Sequence, residues 1–267
     1  MTVRVGTLLR IPIRVHLLLP AMAVVVVVTT PRYTDAETFL ALLSFFAVMA
    51  VSILAHELGH ALVARGHRLE AHGITLWPLG GFTECDPPRN ARSKVRVALA
   101  GVSVNFALAL LAGAGLWLRD GVLPGLPGLR PEPGLLLTAW NLNLSLGILN
   151  LLPGLPFDGG MAVEGLLWRR LGRGRARVAV LATGALIGIG LLLGGISNES
   201  MLLAALGGWS LYEVHRLYRE FRENGVEQEA LFGVHDFSMG HTSLEDGAPE
   251  PDRAERRRAK DAERAAR

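Results

Sequence analysis

Blocks of apolar residues are the feature that most constrains how this chain can fold. Half of its 267 residues are hydrophobic and only 19 % are charged, whereas soluble domains usually carry about 25 % charged residues. The apolar residues are gathered into stretches of ~20, which is long enough to cross a bilayer with a hydrocarbon core of roughly 30 Å. The sequence therefore predicts a multi-pass membrane protein with one helical bundle, and it argues against a soluble domain.

Six such blocks can be traced, at residues 13–30, 38–64, 97–118, 135–152, 178–196 and 197–212. The sixth is short for a span, and a tilted or re-entrant segment is an alternative. Lysine and arginine number three before or at the start of the first block, then one, six, two, five and none between successive blocks, and ten after the last. Because basic residues concentrate in cytoplasmic loops, this alternation predicts six spans with both termini in the cytoplasm.

The composition changes after the sixth block. We predict a membrane domain over residues 1–212, an amphipathic cytoplasmic segment over 213–238 and a disordered charged tail over 239–267. A solvated tail is favoured over one that binds RNA or lipid, and we expect no nucleic-acid partner. The single cysteine, Cys85, excludes a disulfide framework and a four-cysteine zinc site, so a metal would need histidine and carboxylate ligands.

The motif His-Glu-Leu-Gly-His lies inside the second block, within the segment SILAHELGHALVA. On a helix, His56 and His60 project from one face and can bind the same metal ion. Glu57 lies beside them, where it can reach a water molecule without being a ligand. Ionisable residues in a membrane span are costly unless they are paired, and a divalent ion would pair them. The alternative is a helix end at the membrane surface, where these side chains only face water.

A catalytic zinc site needs three protein ligands, and the candidate for the third is Asp158 in the segment NLLPGLPFDGG. The charge alternation places this segment on the same side of the membrane as the end of the second block. Pro153 and Pro156 stop the helix, and irregular backbone at membrane depth is tolerated where it lines a polar cavity. An ordinary proline- and glycine-rich loop with a capping aspartate is the alternative.

Together the two motifs resemble those of the site-2 protease family of intramembrane zinc metallopeptidases. The second motif of that family, N-x-x-P-x-x-P-x-D-G, is matched from Asn150 to Gly159, and the resemblance covers roughly residues 10 to 215. It implies Zn²⁺ as the cofactor, with His56, His60 and Asp158 as its ligands and Glu57 as the general base. The chain resembles the compact members of the family, which have neither a PDZ nor a CBS domain.

Two further segments resemble parts of this family. The segment WPLGGF, which contains Gly80 and Gly81, resembles a re-entrant hairpin near the active site. The segment AGVSVN resembles a pattern A-G-P-x-x-N, although Val102 replaces the proline. The resemblance makes Asn150, Asn105, Gly80 and Gly81 candidates for binding the substrate or its oxyanion. The predicted fold is all-α, a six-helix transmembrane bundle with a short re-entrant β-hairpin near the active site.

The function that these features predict is hydrolysis of a peptide bond within or near the transmembrane helix of a membrane-anchored substrate. The expected location is the cell membrane, with the active site toward the cytoplasm, and a separate regulatory protein is a possible partner. A non-catalytic zinc-binding scaffold or transporter is the alternative, but it would not need Glu57 at that position. Asn143 and Asn150 share a face of the fourth block, where they would line the catalytic cleft or hydrogen-bond to neighbouring helices.

Overall fold

The computed structural model describes residues 2–29, 36–78, 80–121, 125 and 134–228. Four strands and seven helices are formed by these residues. In chain order they are β1 (Thr2–Leu8), β2 (Ile11–His16), α1 (Leu18–Thr29), α2 (Ala36–Gly66), β3 (Ala71–Trp77), β4 (Gly80–Cys85), α3 (Ala91–Asp120), α4 (Leu135–Asn150), α5 (Asp158–Leu171), α6 (Arg173–Ser197) and α7 (Met201–Gln228).

Three of the described helices are long and apolar enough to cross a membrane. They are the segment Phe39–Gly66 of α2, the whole of α3 and the whole of α6. Helix α4 is also apolar but has only 16 residues. Many leucines on these helices are exposed in the isolated chain, for example Leu110 and Leu186, as expected where lipid is the surrounding solvent. The chain is therefore a multi-pass membrane protein.

The chain is mostly helical, as expected, but the expected count of six membrane helices is not supported by the described residues. The described residues contain seven helices, three of which meet the length and composition of a span, and they also contain a four-stranded sheet. The first block was expected to begin a helix near residue 13, but the helix begins at Leu18. Pro12 disfavours a helix, and Ile11 and Ile13 alternate with less buried residues. This period of two suits a strand, and the partner strand β3 lies more than fifty residues away.

The helix boundaries differ from expectation at two other places. Helix α5 begins at Asp158, directly after the proline- and glycine-rich turn, where the sequence signalled only a break. Helix α7 continues from the sixth apolar block into the expected amphipathic segment without interruption. Residues 229–267 are outside the described part of the chain, and the predicted charged tail lies there.

The sheet has the strand order β1-β2-β3-β4. The pairs β1/β2 and β3/β4 are antiparallel, and β2/β3 is parallel, joined through α1 and α2. The expected hairpin near the metal motif is the β3/β4 pair. Arg14 of β2 reaches over Gly73 of β3 and binds both carboxylate oxygens of Glu84 on β4, at 2.9 and 3.0 Å. A side chain on β3 at that point would obstruct the ion pair, so glycine there lets β2 hold β4 in register.

Helix α3 is central to the part of the fold that carries the two motifs. It packs against α2, α4 and α5, while α6 packs against α5 and α7. Glycines of α6 allow close approach, since a Cβ at Gly195 would overlap the backbone of Ala204 on α7, and one at Gly184 would overlap the carbonyl group of Leu155. The contact of Gly184 with Leu155 holds the turn before α5 against α6, and this turn sets the position of Asp158.

Candidate metal centre and catalytic site

Three side chains from two helices converge inside the bundle. His56 and His60 project from one face of α2, and Asp158 is the first residue of α5. The Nε2 atoms of the two histidines are 3.0 Å apart. Asp158 Oδ2 lies 3.0 Å from His56 Nε2 and 3.3 Å from His60 Nε2. All three residues are buried, with 6–7 % of each exposed, and they form a group that could hold a metal ion.

Helix α3 closes this group from a third side. Gly101 faces the two imidazole rings, and a Cβ built on it would lie 2.6 Å from His56 Nε2 and closer still to His60 Nε2. The turn that carries Asp158 is equally tight, because a Cβ on Gly159 would overlap the carbonyl group of Leu151. Glycine at both positions leaves the space between α2, α3 and α5 open for an ion.

The hydrogen bonds around the cluster show which atoms are free to bind an ion. His60 Nδ1 lies 2.7 Å from the backbone oxygen of Val97, which can only accept, so the Nδ1 atom carries the hydrogen and Nε2 has a lone pair. Asp158 Oδ2 is fully buried and makes no hydrogen bond with any described residue. Nitrogen and carboxylate oxygen lone pairs that face one another repel unless a cation lies between them. Two imidazoles and one carboxylate are the donor set of a catalytic zinc site, so these residues fit zinc.

The Nδ1 atom of His56, on the side of the ring away from the metal cluster, contacts a buried amide. The contact is with Oδ1 of Asn105, which is completely buried in α3. The side-chain nitrogen of Asn105 donates to Oδ1 of Asn143 at 2.9 Å, and Asn143 donates to Ser52 Oγ at the same distance. For Asn143, these contacts are hydrogen bonds between helices, one of the two alternatives that the sequence left open.

Glu57 lies next to the cluster but does not belong to it. Its carboxylate oxygen Oε2 accepts a hydrogen bond from the hydroxyl of Thr83 on β4, at 2.7 Å. A Cβ on Gly81 would come within 2.7 Å of Glu57 Oε1, so β4 packs directly over the glutamate. Only 5 % of Glu57 is exposed. The sequence did not single out Thr83, because a threonine in a strand is ordinary and its partner is 26 residues away.

A cavity of about 300 Å³ contains the cluster and Glu57. Gly80 and Gly81 of the hairpin and Asn150 at the end of α4 line the cavity together with Asn105. Trp77 of β3 packs against Trp209 of α7, with ring centroids 5.5 Å apart, and both line the cavity too. The structure thus brings all eight sequence-predicted site residues to one cavity, although Asn105 is completely buried and its amide is bound to His56 and Asn143.

A buried ion-pair cluster lies at another edge of this cavity. Glu164 of α5 binds Lys94 of α3 at 2.6 Å and Arg177 of α6 at 3.0 Å. Burial by itself would raise the pKa of Glu164, but the two neighbouring cations hold it below its usual value. The contacts of Glu164 tie α5 to α3 and α6. The ring of Trp168 also lies 3.9 Å from the guanidinium of Arg173.

The sequence and the fold both resemble those of known proteins. Peptidase family M50 matches residues 44–122 and 133–193 of the chain. The fold resembles a solved structure of the site-2 protease from Methanocaldococcus jannaschii, with a TM-score of 0.63 and 24 % identity, over 81 % of this chain and 94 % of that one.

Two curated relatives carry metalloprotease names. A Mycobacterium tuberculosis protein named zinc metalloprotease Rip3 is 35 % identical over 182 residues, which cover 63 % of this chain and 44 % of the relative. The zinc metalloprotease MJ0392 of Methanocaldococcus jannaschii is 28 % identical over 232 residues, or 86 % of this chain and 63 % of the relative. The chain thus spans less than two thirds of either relative.

Proposed function

Because the chain belongs to peptidase family M50, the site-2 protease family, we propose that it is an intramembrane zinc metalloprotease. The reaction is hydrolysis of a peptide bond within or near the transmembrane helix of a membrane-anchored protein. The observation that carries this proposal is the convergence of His56 Nε2, His60 Nε2 and Asp158 Oδ2 in a buried cavity. A carboxylate that is not part of the cluster, Glu57, lies beside them.

The residues of the chain would divide the chemistry between them. His56, His60 and Asp158 would hold zinc, which when bound supplies a Lewis acid that acidifies water and polarises a carbonyl group. Glu57 would accept the proton of the attacking water and deliver it to the nitrogen of the leaving fragment. The side-chain amide of Asn150, which lines the cavity, would hydrogen-bond to the substrate backbone near the oxygen where negative charge develops.

The substrate would reach the site as an extended strand. A helical segment is a poor protease substrate, since its amide groups are already hydrogen-bonded within the helix, so it must unwind locally. Strand β4 is the last strand of the sheet, so one of its edges faces away from β3. An unwound segment can add to such an edge by backbone hydrogen bonding. Because Glu57 packs against β4 through Thr83, this edge would present the peptide next to the proton acceptor.

The loops support a cytoplasmic orientation for the site. The connection between α2 and α3 and the segment around the start of α6 are both rich in arginine, and such segments remain in the cytoplasm. Basic residues at the start of α3 and of α6, namely Lys94, Arg173 and Arg177, line the cavity that contains the metal cluster. We therefore propose that the termini and the opening of the cavity face the cytoplasm, and that the substrates are single-pass or membrane-anchored proteins.

The non-catalytic alternative, a zinc-binding scaffold or transporter, is not favoured. The named relatives are metalloproteases, and a scaffold has no use for a buried glutamate that the cluster leaves free. An assay on Glu57 separates the two functions, because the glutamate matters for hydrolysis and not for holding an ion.

The test is co-expression of the chain with a panel of single-pass reporter proteins whose spans differ only in helix-weakening Gly and Pro residues. We expect the wild type to cleave the weakened spans faster than a poly-leucine span. Glu57→Gln should leave every reporter intact while still binding zinc. Equal processing by the wild type and Glu57→Gln would remove the protease function, and equal cleavage of rigid and weakened spans would remove the unwinding step.

A further inference from the structure

A relay of buried polar side chains, linked by hydrogen bonds, runs from helix α4 to the Nδ1 atom of His56. It consists of Ser52 on α2, Asn143 on α4 and Asn105 on α3, and it ends at the His56 ring. Asn105 is 0 % exposed and the other two are each 2 % exposed. Buried polar groups in apolar helices are costly unless they are satisfied, so the direction of each hydrogen bond here carries information.

The backbone of α4 sets the direction of these hydrogen bonds, at the end of the relay that is farthest from His56. The side-chain nitrogen of Asn143 lies 2.9 Å from the carbonyl oxygen of Ala139, which can only accept. A flipped Asn143 amide would put two oxygens against each other, so the nitrogen must point toward Ala139 and Ser52. The oxygen of Asn143 therefore faces α3, where it accepts a hydrogen bond from Asn105 Nδ2 at 2.9 Å.

That bond in turn fixes Asn105. Because its nitrogen is used toward Asn143, its oxygen must face Nδ1 of His56. An amide oxygen can only accept, so Nδ1 of His56 carries the hydrogen, and Nε2 keeps its lone pair. This is the tautomer that can bind an ion beside Asp158. His60 reaches the same tautomer more directly, through the carbonyl oxygen of Val97.

We propose that Asn143, supported by Ser52, is a positioning residue that acts through Asn105 to select the metal-binding tautomer of His56. The inference rests on the zinc site of the proposed function, and it adds a role that the ligands alone do not reveal. The selecting element is a backbone carbonyl on α4, about three side chains away from the ion. Loss of such supporting contacts typically lowers metal affinity roughly 10–100-fold.

The first measurement is the zinc affinity of the full chain in detergent, by competition with a chromophoric chelator. Asn143→Leu removes the contact that orients Asn105, and we expect zinc affinity to fall roughly 10–100-fold. The matched control is Asn141→Leu, which removes a buried asparagine from the same helix without touching the relay. Its zinc affinity should equal that of the wild type. Equal affinities for Asn143→Leu and Asn141→Leu would overturn the proposal.

A rescue variant separates selection of the tautomer from mere packing. A carboxylate at position 105 accepts hydrogen bonds with either oxygen, so it would hold the hydrogen on His56 Nδ1 whatever residue stands at 143. Asn105→Asp combined with Asn143→Leu should therefore regain most of the affinity that Asn143→Leu alone loses. If the double variant binds zinc no better than the single one, Asn143 acts by packing and the relay is refuted.

The last measurement needs no variant that has to fold. Nitrogen NMR of the zinc-free, imidazole-labelled wild type, recorded at alkaline pH where the His56 ring is neutral, distinguishes the two tautomers, and the His56 signals should show hydrogen on Nδ1 and none on Nε2. The opposite tautomer would overturn the inference. These readouts are independent of the proposed function: a wild type that shows the expected tautomer and binds zinc, yet cleaves nothing, would refute the protease alone.

Discussion

Alanine at Gly101 is expected to abolish zinc binding while leaving the fold intact. The added Cβ would lie 2.6 Å from His56 Nε2 and closer still to His60 Nε2, about 1 Å inside the usual contact distance of roughly 3.5 Å. The rings cannot retreat, because Nδ1 of each is bound on the far side, by Asn105 and by the carbonyl oxygen of Val97. The methyl group therefore competes with the ion for the same space.

The two consequences differ in size. For stability, alanine gains about 1 kcal/mol over glycine in a helix, which offsets much of the about 1–3 kcal/mol that overpacking costs. For binding, zinc must lie about 2.0–2.1 Å from each nitrogen, and the methyl group excludes it from that position. We expect affinity to fall by at least about 100-fold, beyond the usual effect of losing a supporting contact.

Zinc content per purified chain and a competition titration measure the effect, and thermal unfolding in detergent checks the fold. The matched control is Gly115→Ala on the same helix, where the new Cβ would meet only the two methyl groups of Leu136, at 3.3 and 3.5 Å, which end a flexible side chain. That variant should bind zinc like the wild type. If Gly101→Ala also kept its affinity and its fold, the ion would not lie between the histidines and α3, and the reasoning about this site would be refuted.

Other predictions follow from the contacts around the site. Thr83→Val should slow substrate cleavage by up to ~100-fold, because it removes the contact that orients Glu57. The zinc content of this variant should be unchanged, and Thr83→Ser should cleave at nearly the wild-type rate. An unaffected cleavage rate in Thr83→Val would contradict this prediction. Glu164→Gln should cost about 3 kcal/mol at neutral pH, the lower end for a broken buried ion pair, as measured by the shift in Tm. Because the folded pKa of Glu164 lies below the ordinary glutamate value of 4.5, this stabilisation is present above pH 4.5 and is lost as the pH falls through the folded pKa. A Tm difference that persists in acid would disprove it. Burial, together with Asp86 and Glu57, raises the pKa of the Cys85 thiol to about 11. Alkylation of Cys85 at pH 8 should therefore be about 100-fold slower in the folded chain than in denaturant. Equal alkylation rates in the two conditions would count against the burial of this thiol.

Much of the site could be anticipated from local patterns. The spacing of His56 and His60 places both on one face of any helix, and the structure has them on one face of α2. The resemblance to the site-2 protease family, drawn from this motif and from the segment that contains Asp158, is confirmed by the family match. The roles assigned to these residues remain predictions that the experiments above address.

Strands β1 and β2 and the helix count were missed for a physical reason. The short alternating run that contains Ile11 and Ile13 adjoins the longer apolar run of α1. Nothing in that local pattern shows that β3, more than fifty residues away, pairs with it. In membrane helices an apolar run also fails to distinguish a span from a shorter helix such as α4. Helix α5 was hidden since its first residue, Asp158, follows two prolines that signal only a break.

The apolar blocks were enough to indicate a membrane as the solvent of this protein. The spacing of His56 and His60 was enough to place them together, because side chains four residues apart on a helix share a face whatever surrounds them. Which distant groups complete the site depends on the tertiary structure. Gly101 matters because α3 passes against the imidazole rings, and Thr83 because β4 lies over Glu57. Such contacts depend on how separate helices and strands approach one another, and packing between distant segments is set by the whole fold and not by any local pattern.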